Sequence, residues 1–320
     1  MSAASLVLFA PAGSSEYAKR VAQHLEIPVS ALEERGFEDG EHKTRPLVAV
    51  AGHDVYVLHT LHGGDGQSVN DKLCRLLFLV GTLKDHGAAR VTAVTPYLCY
   101  ARKDRRTQPH DPVTSRYVAQ LFEAVGTDRI LALEVHNTAA FENAFRRPAL
   151  HVATAELFAA YFAPMTRQDP IVVVSPDAGG VKRADQFRRA LERRTGGTID
   201  DAFVEKYRSG GVVSGSALVG RVQGKIAIIL DDLVSTGTTL LRAAAACRAA
   251  GARQVFAAAT HGLFVAGAPQ LFAASDLDGI VIADTVPLPP SLAQAPPSRL
   301  TVLDSTPLVA EALAKAHSQA

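Results

Sequence analysis

The sequence predicts an α/β protein of two similar doubly wound domains with mainly parallel sheets, and three observations predict it. The first is Ile226–Leu230, five apolar residues in a row, the mark of a strand covered on both faces. It runs into Asp231-Asp232, a hydroxyl-rich turn with one glycine (Ser235, Thr236, Gly237, Thr238, Thr239), and an alanine-rich helix from Leu240 that stops near Gly251. The second is a repeat of this unit. Asp54–Thr60, turn, helix, Gly87 and a strand from Val91 parallel Lys225–Leu230, turn, helix, Gly251 and a strand from Val255, each glycine standing four positions before the valine. The third is that helical segments separate the strands and no strand signal alternates over a long run.

Length and composition agree. The 320 residues suffice for two domains, here 1–149 and 150–320, and 48% hydrophobic residues give each a core. The balance of 33 basic against 32 acidic residues gives no bulk electrostatic reason for a nucleic-acid or membrane partner. Cys74, Cys99 and Cys247 lie in apolar contexts without metal-ligand spacing and read as reduced core residues of a cytoplasmic protein. No apolar run approaches the ~20 residues of a membrane span, and the N-terminus lacks a basic, then apolar, signal pattern.

In order, Ser5–Ala10 is a strand candidate and Glu16–His24 a helix. Glu33–His42 is a polar stretch carrying Phe37, Asp39 and Glu41. Asp54–Thr60 is a strand, Leu61–Asn70 a glycine-rich turn and Asp71–His86 a helix. Arg90–Tyr97 is a strand leading into Arg102, Lys103, Asp104, Arg105 and Arg106. Pro112–Phe122 is amphipathic, with proline at the helix start. Arg129–Val135 is a strand that delivers His136 and Asn137. Arg146–Leu150 marks the domain boundary. Ile171–Val174 is a buried strand whose Ser-Pro-Asp-Ala-Gly-Gly end opens the helix Val181–Arg194. Asp201–Arg221 is polar and glycine-containing, a mobile loop or hairpin. Val286–Pro297 is proline-rich and irregular. Pro307–His317 closes the chain as a helix and is a candidate to pack on the first domain.

Ligands of such folds sit at the carboxyl ends of strands. Those ends carry a basic cluster, His136, Asp177 and the Asp231–Thr239 segment. A strand, tight turn and helix start hold a phosphate through free N–H groups and the helix dipole. Paired aspartates suit sugar hydroxyls or hydrated magnesium. The glycine spacing fits neither a P-loop nor a dinucleotide fingerprint. The first half lacks paired aspartates at its strand end, which reads as a degenerate phosphate loop. Taken singly, His136 also fits a satisfied core histidine, Arg102–Arg106 a solvated basic face and Asp177 a helix cap.

Asp231–Thr239 resembles the phosphoribosyl pyrophosphate (PRPP) signature of the type I phosphoribosyltransferase fold. Further motifs follow in the order of one family. Phe37-Glu-Asp-Gly-Glu41 resembles an adenine-binding loop. Pro96–Arg105 resembles Pro-Tyr-x-x-Tyr-Ala-Arg-Gln-Asp-Arg. Glu134-Val-His-Asn137 stands at an acid-x-His pattern, and Ser175–Gly180 matches Ser-Pro-Asp-x-Gly-Gly. Lys206-Tyr-Arg208 resembles a catalytic Lys-x-Arg loop. The chain is thereby similar to the ribose-phosphate pyrophosphokinase (PRPP synthetase) family along nearly its full length.

The resemblance implies transfer of the β,γ-diphosphoryl group of ATP to the 1-hydroxyl of ribose 5-phosphate, with magnesium as cofactor and a homo-oligomer (dimer or hexamer) as the assembly. By the same carry-over Lys206, Arg208 and His136 are catalytic. Phe37, Asp39, Glu41, Arg102, Lys103, Asp104 and Arg105 bind ATP. Asp177, Asp231, Asp232, Ser235, Thr236, Gly237, Thr238 and Thr239 bind ribose 5-phosphate. His136 and Asp177 serve the metal. Lys103 replaces a usual glutamine, Ser235 a third aspartate and Thr238 a common glycine. The alternatives are a phosphoribosyltransferase that consumes PRPP, which needs only the signature, and a catalytically silent homologue, which is expected to lose His136 or the Lys206/Arg208 pair.

Overall fold

The structure, a computed structural model, describes residues 5–64, 66–167, 169–209, 212–265, 268–292 and 299–319; for 206–209, 212–216 and 268 it describes backbone only. Along the chain run β1 (Leu6–Phe9), α1 (Ser15–Leu25), β2 (Leu32–Gly36), β3 (His42–Pro46), β4 (Asp54–Leu58), α2 (Val69–Asp85), β5 (Arg90–Thr95), α3 (Thr114–Ala124), β6 (Arg129–Leu133), α4 (Thr138–Ala144) and β7 (Ala149–Val152). Then come α5 (Ala155–Phe162), β8 (Ile171–Ser175), α6 (Val181–Thr195), β9 (Asp200–Ser209), β10 (Val212–Gly220), β11 (Ile226–Val234), α7 (Thr238–Ala249), β12 (Gln254–Gly262), α8 (Ala268–Ala273), β13 (Gly279–Ala283), β14 (Leu300–Leu303) and α9 (Thr306–Ser318). Two units form: Met1–Val152 with Thr306–Ala320, and Ala153–Ser305.

In the first unit a parallel sheet has the order β1-β4-β5-β6-β7. From β4 to β7 the strand order runs one way, and right-handed crossovers send α2, α3 and α4 to the same face. There Leu76, Phe122 and Phe141 pack with Val55, Val57 and Val91. Alternation along the strands turns Tyr56, Leu58, Val94 and Leu131 to the opposite face. That face is covered by α1 and by α9, through Val21 and Leu313. One unit's sheet is thus completed by the last helix of the chain.

A buried carboxylate anchors that helix. Asp54, 1% exposed, accepts from Arg90 Nε at 2.8 Å and Nη2 at 2.6 Å, and from Tyr56 Oη at 3.0 Å; His317 Nδ1 of α9 lies 2.7 Å away. Burial alone would raise the Asp54 carboxyl; its hydrogen bonds with Arg90, His317 and Tyr56 overcome this and hold it below its usual range. Arg129 Nη1 also donates to the Ala316 carbonyl at 2.7 Å.

The second unit's sheet has the order β10-β9-β8-β11-β12-β13-β14, parallel except for the β9–β10 pair. From β8 the chain goes one way to β9 and the other way to β11. This reversal puts α6 and α7 on opposite faces. Phe187 of α6 packs with Val173 and Ile228, whereas Leu240 and Ala243 of α7 pack with Val172 and Ile229. The switch point between β8 and β11 is where such sheets bind ligands.

The polar stretch Glu33–His42 is a β-hairpin rather than irregular chain, with Leu32 paired to Pro46 and Gly36 to His42. Charged residues on both faces hide its period; Glu33 pairs with Lys43 at 3.1 Å and with Arg45. The strand expected to end at Leu230 continues through both aspartates to Val234, paired with β12 as far as Gly262. Asp201–Arg221 is mostly the antiparallel hairpin β9–β10; Gly210, Gly211 and 293–298 of the proline-rich segment lie outside the described residues.

Removing one partner from a buried, hydrogen-bonded ion pair costs about 3–5 kcal/mol. Asp54→Ala should lower the unfolding free energy by about that much in a urea titration. His317→Ala should lower it by about 1.5–3 kcal/mol, the usual cost of a hydrogen bond to a charged group. Equal stability of Asp54→Ala and the parent would remove the anchor from the account.

Candidate active site

In the second unit, β11 carries Asp231 and Asp232 past the core at its carboxyl end. Asp232 is 3% exposed and its backbone N–H donates to Asp231 Oδ1 at 2.9 Å. Two adjacent carboxylates in so little water repel and lose hydration. Burial first, and the Asp232 charge second, push the Asp231 carboxyl up to about 7. After Ser235 and Thr236 the chain turns at Gly237, φ 78°, and α7 begins at Thr238. A side chain at Gly237 would also strike Leu271, whose Cδ1 lies 3.0 Å from the position a Cβ would take. Glycine is required there twice over.

The N-terminus of α7 has no side-chain cap. Its first N–H groups and dipole are therefore open to an anion. The counterpart in the first unit is different. At α2, Ser68 Oγ accepts from Asp71 N at 3.2 Å and Asp71 Oδ2 accepts from Ser68 N at 2.7 Å, a complete capping box. That helix start already holds its own carboxylate. The residues around it are closed in: His59 and Lys72 are fully buried, and the His59 imidazole is pushed down to about 3, first by burial and then by Lys72. The loop expected to be degenerate is one that supplies its own anion.

Asp177 follows β8 and caps the short turn Ala178–Gly180, accepting from Gly179 N at 3.0 Å and Gly180 N at 3.2 Å. The capping reading of this residue holds in the structure. The same turn places it beside β11, because β8 and β11 are neighbours. Lys206 and Arg208 lie on β9, their backbones paired with Ser216 and Val213 of β10; their side chains lie outside the described residues.

One residue of this site escaped the sequence reading. Arg183, in the first turn of α6, brings Nη1 to 3.8 Å from Asp231 Oδ1 and 3.6 Å from Asp232 Oδ1, with its side chain 13% exposed. The available signal was Lys182-Arg183 at a helix start, where cations oppose the dipole.

In the first unit, β6 ends at Leu133 and Glu134 takes a left-handed φ of 36°. Such strain costs roughly 1–3 kcal/mol and concentrates at functional sites. His136 emerges exposed, so it is not a core histidine. Asn137 caps α4 through Ala140 N at 3.1 Å and donates from Nδ2 to Asp104 Oδ2 at 2.6 Å. The basic segment and the histidine strand end, far apart in sequence, are joined by this bond.

Within that segment the cations divide. Lys103 Nζ binds Asp111 Oδ2 at 2.5 Å, and the same oxygen accepts from Thr107 N at 2.9 Å, Thr107 Oγ1 at 2.8 Å and Gln108 N at 3.0 Å. Arg106 Nε donates to the Asp111 carbonyl at 3.1 Å. Arg102 and Arg105 are exposed and make no ion pair among the described residues. Lys103, expected to reach a ligand, pairs here with the acid across the turn from it. Phe37, 38% exposed, forms the tip of the β2–β3 hairpin with the Arg35 guanidinium 5.1 Å from its ring centroid. Asp39 and Glu41 share that tip, Glu41 N donating to Asp39 Oδ1 at 3.0 Å.

Asp111 should therefore order the loop. The Lys103 ammonium first, then the Thr107 donors, hold its carboxyl well below the usual range. A lowered carboxyl keeps its contribution above the unfolded value and loses it only as pH falls through the folded one. Amide exchange at Thr107 and Gln108 should be protected at neutral pH and rise in Asp111→Asn. Unchanged protection in that variant would contradict the assignment.

The comparisons agree with this geometry. Residues 6–126 match the model of the N-terminal domain of ribose phosphate pyrophosphokinase, and 213–320 that of the phosphoribosyl synthetase-associated domain. A ribose-phosphate pyrophosphokinase of Caldanaerobacter subterraneus subsp. tengcongensis is 33% identical over 98% of this chain and 95% of its own. Ribose-phosphate pyrophosphokinase 1 of Streptococcus pneumoniae is 35% identical over 90% of this chain and 88% of its own. The crystal structure of phosphoribosylpyrophosphate synthetase from Mycobacterium smegmatis superposes with a TM-score of 0.89 at 32% identity, covering 99% of this chain and all of that one.

Proposed function

The chain belongs to the ribose-phosphate pyrophosphokinase family, and from that membership we propose how its two units share one reaction. The reaction moves the β,γ-diphosphoryl group of ATP to the 1-hydroxyl of ribose 5-phosphate, yielding PRPP and AMP for nucleotide biosynthesis. The observation that carries the reading is the uncapped start of α7 directly after the buried acid pair. It offers a phosphate site and hydroxyl acceptors a few residues apart, which suits a sugar phosphate.

Asp231 and Asp232 accept from the ribose hydroxyls, and the turn Ser235–Thr239 takes the 5-phosphate on the N–H groups of α7. Binding both ends of the sugar fixes the 1-hydroxyl for in-line attack. In the first unit Arg102 and Arg105 take the ATP phosphates, and Asp104 is held by Asn137 beside His136. Lys103, paired with Asp111, supports their loop and lies beside the nucleotide phosphates with them. Phe37, Asp39 and Glu41 serve adenine in a homo-oligomer, dimer or hexamer, in which the exposed hairpin tip reaches a neighbouring copy. Lys206 and Arg208 meet the charge that builds on the transferring group. Positioning and charge stabilisation suffice, since phosphoryl chemistry needs little covalent help.

Magnesium fits the donors. Among the described residues no three acidic, histidine or cysteine side chains converge into a metal cage. Magnesium keeps several waters and is commonly held by one or two protein groups with substrate phosphates. His136 in the first unit and Asp177 in the second are the groups that, each within its own unit, would hold magnesium with substrate phosphates, and a bound ion would neutralise phosphate charge. The described cysteines are free thiols, consistent with a cytoplasmic setting; Cys99 and Cys247 are buried as expected, whereas Cys74 is exposed on α2 and not a core residue. No helix of the described residues is long and apolar enough to cross a membrane.

The test is a product assay. With ATP, magnesium and ribose 5-phosphate, the protein should release AMP and PRPP in equal amounts. Nucleotide made from supplied PRPP and a free base, with no PRPP synthesis, would favour the phosphoribosyltransferase alternative. An inert but folded protein would favour the silent homologue.

A further inference from the structure

We propose that Arg183 is a positioning residue for the acceptor substrate, holding the Asp231–Asp232 pair in place for the ribose hydroxyls. The inference rests on the reading of that pair given above and adds to it a residue on a different element.

Local sequence rules argue against Arg183 being there for the helix. The first turn of α6 holds Lys182 and Arg183 and no acid. Cations at a helix N-terminus oppose the dipole and weaken the helix. A residue that breaks a local rule is expected where function demands it. The Arg183 side chain is also only 13% exposed. Arginine is seldom so buried unless it is paired.

Direction supplies the reason. Helical side chains lean toward the N-terminus. From the third position of α6, Arg183 leans back over the turn that follows β8. The neighbouring strand is β11, across the point where the sheet reverses. Its guanidinium therefore arrives beside the two carboxylates, 3.8 Å from Asp231 Oδ1 and 3.6 Å from Asp232 Oδ1. A Cβ on Gly180 would strike Ser175 Oγ at 2.8 Å, so glycine keeps this turn tight, and Arg183 Nη1 passes at an ordinary contact distance of 3.9 Å.

The distances matter as much as the contact. Both lie beyond hydrogen-bond range. At this separation and burial, the positive charge offsets the repulsion between the acids without entering a bidentate fork. A bidentate pair would take the lone pairs that a sugar diol needs. A cation at close to 4 Å opposes the upward push on Asp231 without taking up those acceptors. The arrangement is a counter-charge, not a clamp, and it stands on the same β8–α6 turn that carries Asp177.

The test compares Arg183→Met, Arg183→Lys and the Asp231→Asn/Asp232→Asn double variant in steady-state assays of the full-length enzyme. Arg183→Met should raise KM for ribose 5-phosphate by about ten- to a hundredfold, as losing an outer partner of a binding group typically does. The KM for ATP should stay within about twofold. Arg183→Lys should recover most of the loss, because the charge rather than the fork is needed. Adding Arg183→Met to the double variant should cause no further rise, since the effect runs through the acids. The proposal is overturned by an unchanged KM in Arg183→Met, by equal rises for both substrates, or by full additivity with the double variant. If Arg183→Met fails to fold, Arg183→Lys decides: a large rise for ribose 5-phosphate, like one for both substrates, overturns the proposal. A double variant with a normal KM for ribose 5-phosphate would instead overturn the reading of the acid pair, whatever Arg183 does.

Discussion

Two carboxylates held side by side at the end of a buried strand impose a demand that the second unit is built to meet. Asp231 and Asp232 lie where water is scarce, and burial with mutual repulsion drives the Asp231 carboxyl to about 7. Left alone, such a pair would take up a proton or move apart. The surrounding features act against that outcome. Arg183 brings a positive charge from α6, the sheet reverses beside it, and α7 begins with its N–H groups uncapped. The same electrostatics that make the acids expensive to bury make them strong acceptors for a sugar diol.

The first unit shows the same architecture released from that demand. Its loop after β4 leads to a helix closed by the Ser68–Asp71 box, so the helix start binds a carboxylate of the chain itself. In this unit the loops after β5 and β6 are tied together instead, Asn137 donating to Asp104 between the basic segment and the histidine strand end. Strand order matters here too. From β4 onward the crossovers all fall on one face, the other is left to α1, and α9 returns to complete its cover under the Asp54 anchor.

Much of this was legible in the sequence, and the gaps have physical causes. Five apolar residues before paired aspartates and a hydroxyl-rich turn marked the strand, turn and helix start of the candidate site, because a strand buried on both faces leaves a continuous apolar run. The hairpin Leu32–Pro46 was not legible, since charged residues crowd both strands and the few side chains that turn inward, Leu32, His42 and Thr44, are mostly polar. Strands β13 and β14 and helix α5 are short apolar pieces whose type is set by their place in the sheet, not by local pattern. Side-chain partnership was the least legible of all. Nothing local says that Lys103 turns to Asp111 or that Arg183 reaches two aspartates on another strand.

The central claim is a division of labour, with the sugar phosphate recognised by one unit and the nucleotide phosphates by the other. Calorimetric binding of each substrate in magnesium buffer to two paired variants tests it most directly. Asp231→Asn/Asp232→Asn should lose ribose 5-phosphate binding and keep ATP binding, and Arg102→Ala/Arg105→Ala should do the reverse. If each pair weakens both ligands to the same extent, the account is wrong.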